Sequence, residues 1–358
     1  MLRLASTSVA CHNPRMRFLL LLAYVTSLAG CLSSSQSPGS NDGGGNPADG
    51  STDSSSPYDA GFATDGPAGD AAADTGVSDA GYTLPPTAFA TQNIPAPQAI
   101  AIDPNSGTLW VASFSGGVVE FAADGGYIAT FGTSGPGTIA SGAGVALDSN
   151  GNVYVGDYGS HDVVELTHAG AYVATFPNPD AGVTLGRVTG VAISATNQLY
   201  AIDDDNSAVL LFNDGGTVAS QFPTSQSGES SSLAGSVGLA FDGAGDPWVA
   251  DYYYHSFVHY SPTGTLLAQY GSNSPTATPD GFNEPYGLSV DSSGNVWVTD
   301  VANNDVQEFD AKGNFKVLLA AADAGIGALS GPSGVAVDRT GRVFVADGAN
   351  NRIVVFQP

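Results

Sequence analysis

The feature that most constrains the fold is an internal repeat, which occurs six times after residue 84. Each copy contains a short segment in which large apolar residues alternate with Ala or Ser, a two-residue period that is typical of a β-strand. The segments end at Asp103, Asp148, Ser194, Asp242, Asp291 and Asp338. These ends are spaced 45, 46, 48, 49 and 47 residues apart, so one supersecondary unit is repeated along the chain.

A second strand follows each segment and carries an aromatic residue at a fixed position. The aromatic residues are Trp110, Tyr154, Tyr200, Trp248, Trp297 and Phe344, and they include all three tryptophans of the chain. One aromatic side chain buries about 150–250 Å², so its recurrence in every repeat predicts packing between neighbouring sheets. A stacking platform for a ligand is the alternative interpretation.

Third and fourth strands follow, for example at residues 163–166 and 266–270. Four strands in one such repeat are typical of a propeller blade. The sixth copy has no fourth strand, whereas residues 84–91 precede the first copy and belong to no other blade. We therefore predict an all-β fold over residues 84–358, a six-bladed β-propeller in which the N-terminal segment completes the last blade. Closure of the ring removes an open sheet edge.

The repeated units resemble NHL repeats over residues 84–358, most closely in the fifth and sixth copies. The NHL pattern reads roughly Pro-x-Gly-φ-Ala-φ-Asp, then Gly-Asn-φ-Tyr-Val-x-Asp, then Asn-x-Arg-φ-x-x-Phe, where φ is an apolar residue. The sixth copy resembles it at residues 331–338, 344–347 and 351–353, and the fifth copy at residues 284–287 and 294–304. The resemblance implies a six-bladed propeller of the NHL type. It leaves the activity open, because the NHL family includes adaptors, sensors and a few enzymes.

The N-terminal residues 1–30 are expected to be a signal peptide. Residues 18–28 form an apolar run behind two arginines, and this run is too short to span a membrane. The sequence Leu-Ala-Gly-Cys that ends at Cys31 resembles a bacterial lipobox, which implies that Cys31 is lipidated and becomes the mature N-terminus. A buried free cysteine is the alternative. Translation starting at Met16 would also give a complete signal peptide.

Residues 31–83 are expected to form a disordered linker behind the lipidated cysteine. From residue 32 onward this stretch is rich in Ser, Gly, Asp, Ala and Pro, with eight aspartates and no basic residue. Such a composition cannot bury enough apolar surface to offset the entropy of ordering the chain. The segment would therefore act as a spacer between the membrane and the propeller.

The chain is strongly acidic, with 34 Asp and Glu residues against 9 Lys and Arg residues. This imbalance argues against nucleic acid as a partner, and it opposes binding to anionic lipid headgroups. Contact with a membrane is therefore expected only through the lipid on Cys31. Leu32 follows that cysteine where Asp would direct retention in the inner membrane, by analogy with enteric bacteria. The expected location is the outer membrane of a Gram-negative bacterium.

Candidate binding residues lie in the connections from the second strand to the third and from the fourth strand to the next blade. Both sets emerge on one side of a propeller, here called the loop face, and loops on a rigid scaffold commonly carry function. The candidates are Tyr158, His161, Arg187, Tyr252, Tyr253, Tyr254 and His255. Tyrosine suits peptide and sugar surfaces, although one or two of these rings could pack back into the blades. Arg187 could bind an anionic group or form a salt bridge with Asp180 or residues 203–205.

The run Asp203, Asp204 and Asp205 is the candidate metal site, because adjacent carboxylates could hold Ca²⁺ or another divalent cation. The aspartates that close the other second strands are expected to be structural, since a carboxylate there can accept N–H groups of the following turn. Only two histidines, His161 and His255, lie on the loop face, which is too few for a three-histidine zinc site. No catalytic residue is assigned.

These observations predict a lipid-anchored protein of the cell envelope that is a non-catalytic scaffold. Its partner would be an envelope protein, a peptide or a glycan, the propeller would be monomeric, and no cofactor is expected. The alternative is a metal-dependent propeller enzyme, a lyase or lactonase, since the resembling families include amidating lyases, streptogramin lyases and gluconolactonase-like enzymes. The ligand patterns of those enzymes cannot be matched residue by residue in this sequence.

Overall fold

The structure is a computed structural model, which describes residues 83–90, 94–178, 182–223, 235–272, 274–277, 279–320 and 327–358. The described chain forms six antiparallel sheets of four strands each, as the repeats predict. The predicted signal peptide, Cys31, most of the linker and Asp180 lie outside the described residues. No helix in the described part of the chain has the length and apolar character needed to cross a membrane.

The first strand of each blade is innermost and the fourth is outermost. Blade 1 consists of β2 (Pro97–Ile102), β3 (Leu109–Ser113), β4 (Val118–Phe121) and β5 (Tyr127–Phe131). Blade 2 consists of β6 (Gly142–Leu147), β7 (Val153–Asp157), β8 (Asp162–Leu166) and β9 (Tyr172–Phe176). Blade 3 consists of β10 (Val188–Ile193), β11 (Leu199–Asp203), β12 (Ala208–Phe212) and β13 (Val218–Pro223).

The other half of the ring has the same arrangement. Blade 4 consists of β14 (Ser236–Phe241), β15 (Pro247–Asp251), β16 (Ser256–Tyr260) and β17 (Leu266–Gly271). Blade 5 consists of β18 (Pro285–Val290), β19 (Val296–Asp300), β20 (Asp305–Phe309) and β21 (Phe315–Leu319). Blade 6 consists of β22 (Pro332–Val337), β23 (Val343–Asp347), β24 (Arg352–Gln357) and the N-terminal β1 (Thr83–Ala90), with a 3₁₀ turn at Gly348–Asn350.

The ring is closed by β1, which is the outermost strand of blade 6. It pairs antiparallel with β24, with Thr87 opposite Val355 and Ala88 opposite Val354. The ring of Phe89 packs edge-on against Phe344 with centroids 5.0 Å apart. The prediction that the N-terminal segment completes the last blade is therefore confirmed.

The core lies between neighbouring blades and is built around the repeated aromatic position. Trp110, Trp248, Trp297 and Phe344 are at most 1% exposed, whereas Tyr154 is half-buried and donates its hydroxyl to Glu165 at 3.1 Å. Trp110 packs with Val145 and Val164 of the next blade. The innermost strands approach so closely that a Cβ on Gly287 would lie 2.2 Å from the carbonyl oxygen of Ser333. This contact explains the small residues of the first strands.

The aspartates that close five of the second strands are at most 2% exposed, and they are Asp157, Asp203, Asp251, Asp300 and Asp347. They accept backbone N–H groups from neighbouring loops, for example Asn283 to Asp300 at 2.8 Å and Ser330 to Asp347 at 2.7 Å. Asp347 also accepts from Arg352 Nε at 2.6 Å. Burial, opposed only in part by hydrogen bonds, raises the pKa of Asp251 to about 8 and that of Asp300 to about 7.

We expect the Asp251→Asn substitution to flatten the pH dependence of stability. Burial raises the pKa of Asp251 to about 8 in the folded protein, above its ordinary value of about 3.9. Between those values only the folded state keeps the proton, so this group makes stability fall with rising pH, by about 1.4 kcal/mol per pH unit. The asparagine oxygen can still accept the Tyr254 N–H, which donates to Asp251 at 3.0 Å.

Urea unfolding at pH 5, 6, 7 and 8 measures this effect. The variant should gain stability relative to the wild type as the pH rises. The matched exchange Asp347→Asn breaks the Arg352 ion pair and should destabilise the protein over the same pH range. Parallel stability curves for the wild type and Asp251→Asn would contradict the prediction.

Candidate functional site

A cleft of about 490 Å³ opens on the loop face where blades 1, 2 and 3 meet. It is lined by Phe114, Ser141, Tyr158, Gly159, His161, Arg187 and Asp205. Three of these lining residues are sequence candidates for the binding face, and Asp205 is a candidate for metal binding. We call this site the loop-face cleft. The structure therefore brings Tyr158, His161 and Arg187 together.

Asp157 fixes the turn of blade 2 that forms one wall of the cleft. Its carboxylate accepts the N–H of Gly159 at 2.9 Å within the turn, and the N–H groups of Ala140 and Ser141 at 2.6 and 2.8 Å from the preceding connection. His161 then adopts a left-handed conformation with φ of 64°, which is uncommon for a residue with a side chain. The turn is thus fixed to its neighbour, and the exposed imidazole of His161 stands at the rim.

Arg187 crosses the floor of the cleft and joins blades 2 and 3. Its Nη1 donates to the Tyr158 hydroxyl at 2.9 Å, its Nη2 lies 2.6 Å from Asp204 Oδ2, and its Nε donates to Asp205 Oδ1 at 2.9 Å. The Arg187 side chain is 12% exposed and that of Asp204 is 3% exposed. Two carboxylates surround one guanidinium, so the group carries net negative charge. It therefore disfavours an anionic ligand.

The electrostatics of the cleft keep Arg187 charged. Burial alone would lower the pKa of its guanidinium, but the Tyr158 hydrogen bond and the charge of Asp204 outweigh burial and hold the pKa above its ordinary value. Burial also raises the pKa of Tyr158, opposed in part by Arg187. Both groups therefore keep their ordinary protonation states at neutral pH. Neither is poised as an acid or a base.

The three consecutive aspartates of blade 3 have different partners. Asp203 accepts the N–H of Gly186 at 3.1 Å and the side-chain amide of Asn206 at 2.8 Å. Asp204 accepts the N–H of Gly235 at 2.6 Å in addition to Arg187. Because the Arg187 guanidinium already provides the counter-charge between Asp204 and Asp205, the donor set offers no common point for Ca²⁺.

Tyr252 and Tyr253 of blade 4 pack with Tyr286 of blade 5 in a cluster, here called the cap, which does not line the cleft but contacts Tyr158. Tyr252 is 3% exposed and packs edge-on against Tyr253 and Tyr286, with centroid distances of 5.3 and 6.4 Å. Its hydroxyl is hydrogen-bonded to Glu284. The hydroxyl of Tyr286 donates to Gln98 Oε1 at 3.0 Å, which links blades 5 and 1. Tyr252 is therefore not available to a surface ligand.

The remaining blade 4 candidates are half-buried. The ring of Tyr253 packs so closely on Gly235 that a Cβ there would lie 2.1 Å from it. The Nδ1 of His255 accepts the N–H of Glu284 at 3.1 Å, and burial lowers the pKa of His255. Tyr254 donates its N–H to Asp251. These residues shape the loops around the cap.

A channel of about 310 Å³ runs along the ring axis beneath the cap. It is lined by the first strands of all six blades, and its lining polar side chains are Gln98, Thr189, Tyr286, Ser289 and Ser333. No carboxylate, imidazole or thiolate is among the lining residues in the described part of the chain. Such a donor set does not fit a divalent metal, which needs anionic or imidazole ligands.

Sequence reasoning missed Phe114, Ser141 and Tyr286. Phe114 occupies the connection of blade 1 that corresponds to Tyr158 in blade 2, and its ring lies 5.5 Å from the Tyr158 ring. The repeat alignment could have identified it. Tyr286 sits at the start of an inner strand, where the repeat has a small residue in several other blades. The large side chain of Tyr286 at this position was the sequence signal that could have identified it.

Comparison with protein-family models finds NHL repeats at residues 282–309 and 329–356. These are the fifth and sixth copies, which most resemble the NHL pattern. A search of curated proteins finds no relative with significant sequence similarity.

Several solved structures share the fold. Virginiamycin B lyase from Staphylococcus aureus is 14% identical with a TM-score of 0.55, over 77% of this chain and 99% of the lyase. A gluconolactonase from Xanthomonas campestris is 16% identical with a TM-score of 0.57, over 81% of this chain and 93% of the enzyme. An auxiliary nutrient-binding protein from Bacteroides thetaiotaomicron is 13% identical with a TM-score of 0.58, over 78% of this chain and 74% of that protein.

At such low identity these likenesses concern the fold alone, and their activities differ from one another. The family-model matches and the six four-stranded sheets agree with the sequence resemblance. The protein is a six-bladed β-propeller that contains NHL repeats.

Proposed function

We propose that this protein is a non-catalytic binding protein of the cell envelope, which holds a protein, peptide or glycan partner in the loop-face cleft. The observation that carries the proposal is the convergence of Phe114, Tyr158 and His161 from two blades around one opening of about 490 Å³. Ligand sites commonly enclose about 300–1,000 Å³ and combine aromatic walls with a few polar groups. The buried Arg187 cluster gives the opening a rigid floor.

The charge of the cleft favours a neutral or basic ligand. Arg187 is paired with both Asp204 and Asp205, and the Asp205 side chain is 35% exposed. An anionic group would meet this carboxylate, whereas a sugar hydroxyl, a peptide amide or a basic side chain can donate to it. The rings of Phe114 and Tyr158 supply apolar contact area at low entropic cost.

The cellular setting belongs to the proposal as well. A lipid on Cys31 would anchor the protein to the outer membrane, and residues 31–83 would hold the propeller away from the lipid surface. A partner would then be another envelope component. The nutrient-binding protein among the structural neighbours is compatible with a binding role for this fold.

The lyase or lactonase alternative requires a metal or catalytic groups on the axis. The channel offers neither carboxylate nor imidazole among its described lining residues. The two enzymes among the structural neighbours share the fold at 14 and 16% identity. We therefore prefer the binding role.

Photocrosslinking tests the proposed site. A photoreactive amino acid is introduced at position 114 or 161 of the full chain, and the same residue is placed at position 127 as a control. Tyr127 is 47% exposed and lies on the outermost strand of blade 1, away from the cleft. We expect a specific crosslinked partner from positions 114 and 161 and none from position 127.

A double variant, Phe114→Ser with His161→Asn, completes the test. Asparagine tolerates the left-handed conformation at position 161, so the melting temperature should stay within about 2 °C of the wild type. In a pull-down, capture by the double variant of the partner that crosslinking identified should fall at least tenfold. Undiminished capture by a folded double variant, or equal crosslinking from position 127, would remove the cleft as the binding site.

A further inference from the structure

The turn between β14 and β15 departs from the equivalent turns of other blades. In blades 2, 5 and 6 the first aspartate of this turn has its Oδ2 satisfied by a donor four residues later. These pairs are Asp148 with Asn152 at 3.0 Å, Asp291 with Asn295 at 2.9 Å and Asp338 with Arg342 at 2.6 Å. In blade 4 the first aspartate is Asp242, and the residue four positions later is Asp246. A second carboxylate replaces that donor, and Asp242 Oδ2 accepts a long hydrogen bond from Trp248 Nε1 at 3.5 Å.

His259 approaches the same point from the third strand. Its Nε2 lies 3.4 Å from Asp242 Oδ2 and 3.8 Å from Asp246 Oδ2. Among the described residues, this is the one cluster in which three His, Cys, Asp or Glu ligand atoms all lie within 4.8 Å of one another. The Nε2 atom is buried and makes no hydrogen bond of good geometry. The cluster lies on the face of the propeller opposite the loop face, because it involves a turn between first and second strands.

The three side chains are held in place by their surroundings. The imidazole of His259 stacks on the Trp248 ring with centroids 3.9 Å apart and planes 8° from parallel. The other oxygen of Asp242, Oδ1, accepts the N–H groups of Ala244 and Asp246 at 2.9 and 3.0 Å. Supporting contacts of this kind commonly orient metal ligands. The Oδ2 atom and the imidazole are therefore presented to each other in fixed orientations.

One hydrogen on His259 Nε2 cannot bond to both neighbouring carboxylates at once. The contrasting case is His168, whose Nδ1 lies 3.6 Å from Asp103 and whose Nε2 lies 3.8 Å from Glu120. There each ring nitrogen faces its own carboxylate. At His259 both carboxylates lie beside the same nitrogen, which carries at most one hydrogen.

The distances suit a metal ion at the centre of the cluster. Zinc bonds to imidazole nitrogen and carboxylate oxygen are about 2.0–2.2 Å long, so the ligand atoms of a tetrahedral site lie roughly 3.4 Å apart. The separations from Nε2 of 3.4 and 3.8 Å are close to this value.

We propose that Asp242, Asp246 and His259 form a binding site for a divalent transition metal ion, with zinc as the expected ion. Imidazole with carboxylates suits zinc better than calcium or magnesium, which prefer oxygen ligands alone. The two carboxylate charges balance the ion. Three protein ligands leave a coordination position for water or for a group from a partner. This site is independent of the loop-face cleft.

Metal titration of the full, untagged chain tests the proposal, with zinc and cobalt chlorides as probes. We expect saturable binding of one zinc ion at this site, and a melting temperature that rises by about 5–11 °C at a hundredfold excess of zinc over its dissociation constant. Cobalt should give the visible absorption bands of a tetrahedral site. The Asp246→Asn variant recreates the Asp-Asn turn of blades 2 and 5, so it should fold normally.

Asp246→Asn should weaken the zinc affinity at least 100-fold and abolish the cobalt bands, while the metal-free melting temperature stays unchanged or rises. Asp214→Asn, at an exposed position in blade 3, is the matched control and should leave binding intact. An unchanged zinc affinity in Asp246→Asn would overturn the proposal. So would the absence of saturable zinc binding in the wild type.

Discussion

Deletion of β1, residues 83–90, is expected to abolish the cooperative unfolding of the propeller. The strand supplies the outer hydrogen-bonding partner of β24, and it covers a sheet whose buried residues Ile353, Val354 and Val355 are at most 2% exposed. Its loss would also remove the Phe89 ring from Phe344. We expect a fall in melting temperature of more than about 10 °C, or the loss of a sharp transition, since a domain of this size shifts by about 2–4 °C per kcal/mol.

Calorimetry and circular dichroism on heating measure this effect. The control is a deletion of equal length at residues 60–67, ahead of the propeller, and it should leave the transition unchanged. A synthetic peptide with the sequence of β1 should restore part of the transition in the truncated chain, because the vacant edge of β24 can accept it. A truncated chain that unfolds as sharply and at the same temperature as the wild type would show that β1 does not close the ring.

The fold was predictable because the same residue types recur in five or six copies of the repeat. The aromatic position, the strand-end aspartates and the small residues near the axis recur at fixed offsets, so one interpretation explains every copy. Ring closure followed from counting strands: the last copy lacked one, and the segment before the first copy supplied it. None of these steps required knowledge of how different blades touch.

The candidate site was only partly predictable, because it depends on contacts between connections of different length. Tyr158, His161 and Arg187 were expected on one face, but nothing in their spacing placed Arg187 between Asp204 and Asp205. The run Tyr252 to His255 has the composition of an exposed binding loop, yet Tyr252 is buried because a large residue, Tyr286, enters from the neighbouring blade. The cluster around His259 was missed because its members form no recognisable motif in the sequence. They come together only through the register of the strands.

Replacement of Arg187 by Met is expected to be among the most destabilising single substitutions in the protein. Asp204 is 3% exposed and would remain beside Asp205 without its counter-charge. Removal of one partner from a buried ion pair typically costs about 3–5 kcal/mol, because the remaining charge has lost both water and its partner. The Tyr158 hydroxyl would lose its hydrogen bond as well. Urea unfolding at pH 7 measures the loss.

A double-mutant cycle separates this electrostatic effect from lost packing. Arg187→Met combined with Asp204→Asn removes the unpaired buried charge, so it should recover at least 1 kcal/mol of the loss, which is a coupling typical of residues in one network. The matched exchange Arg342→Met breaks a more exposed pair with Asp338 on the opposite face, and it should cost only about 1 kcal/mol. If Arg187→Met and Arg342→Met cost the same and Asp204→Asn gives no recovery, the Arg187 cluster is not the rigid floor of the cleft. The proposed ligand site would then lack its structural support.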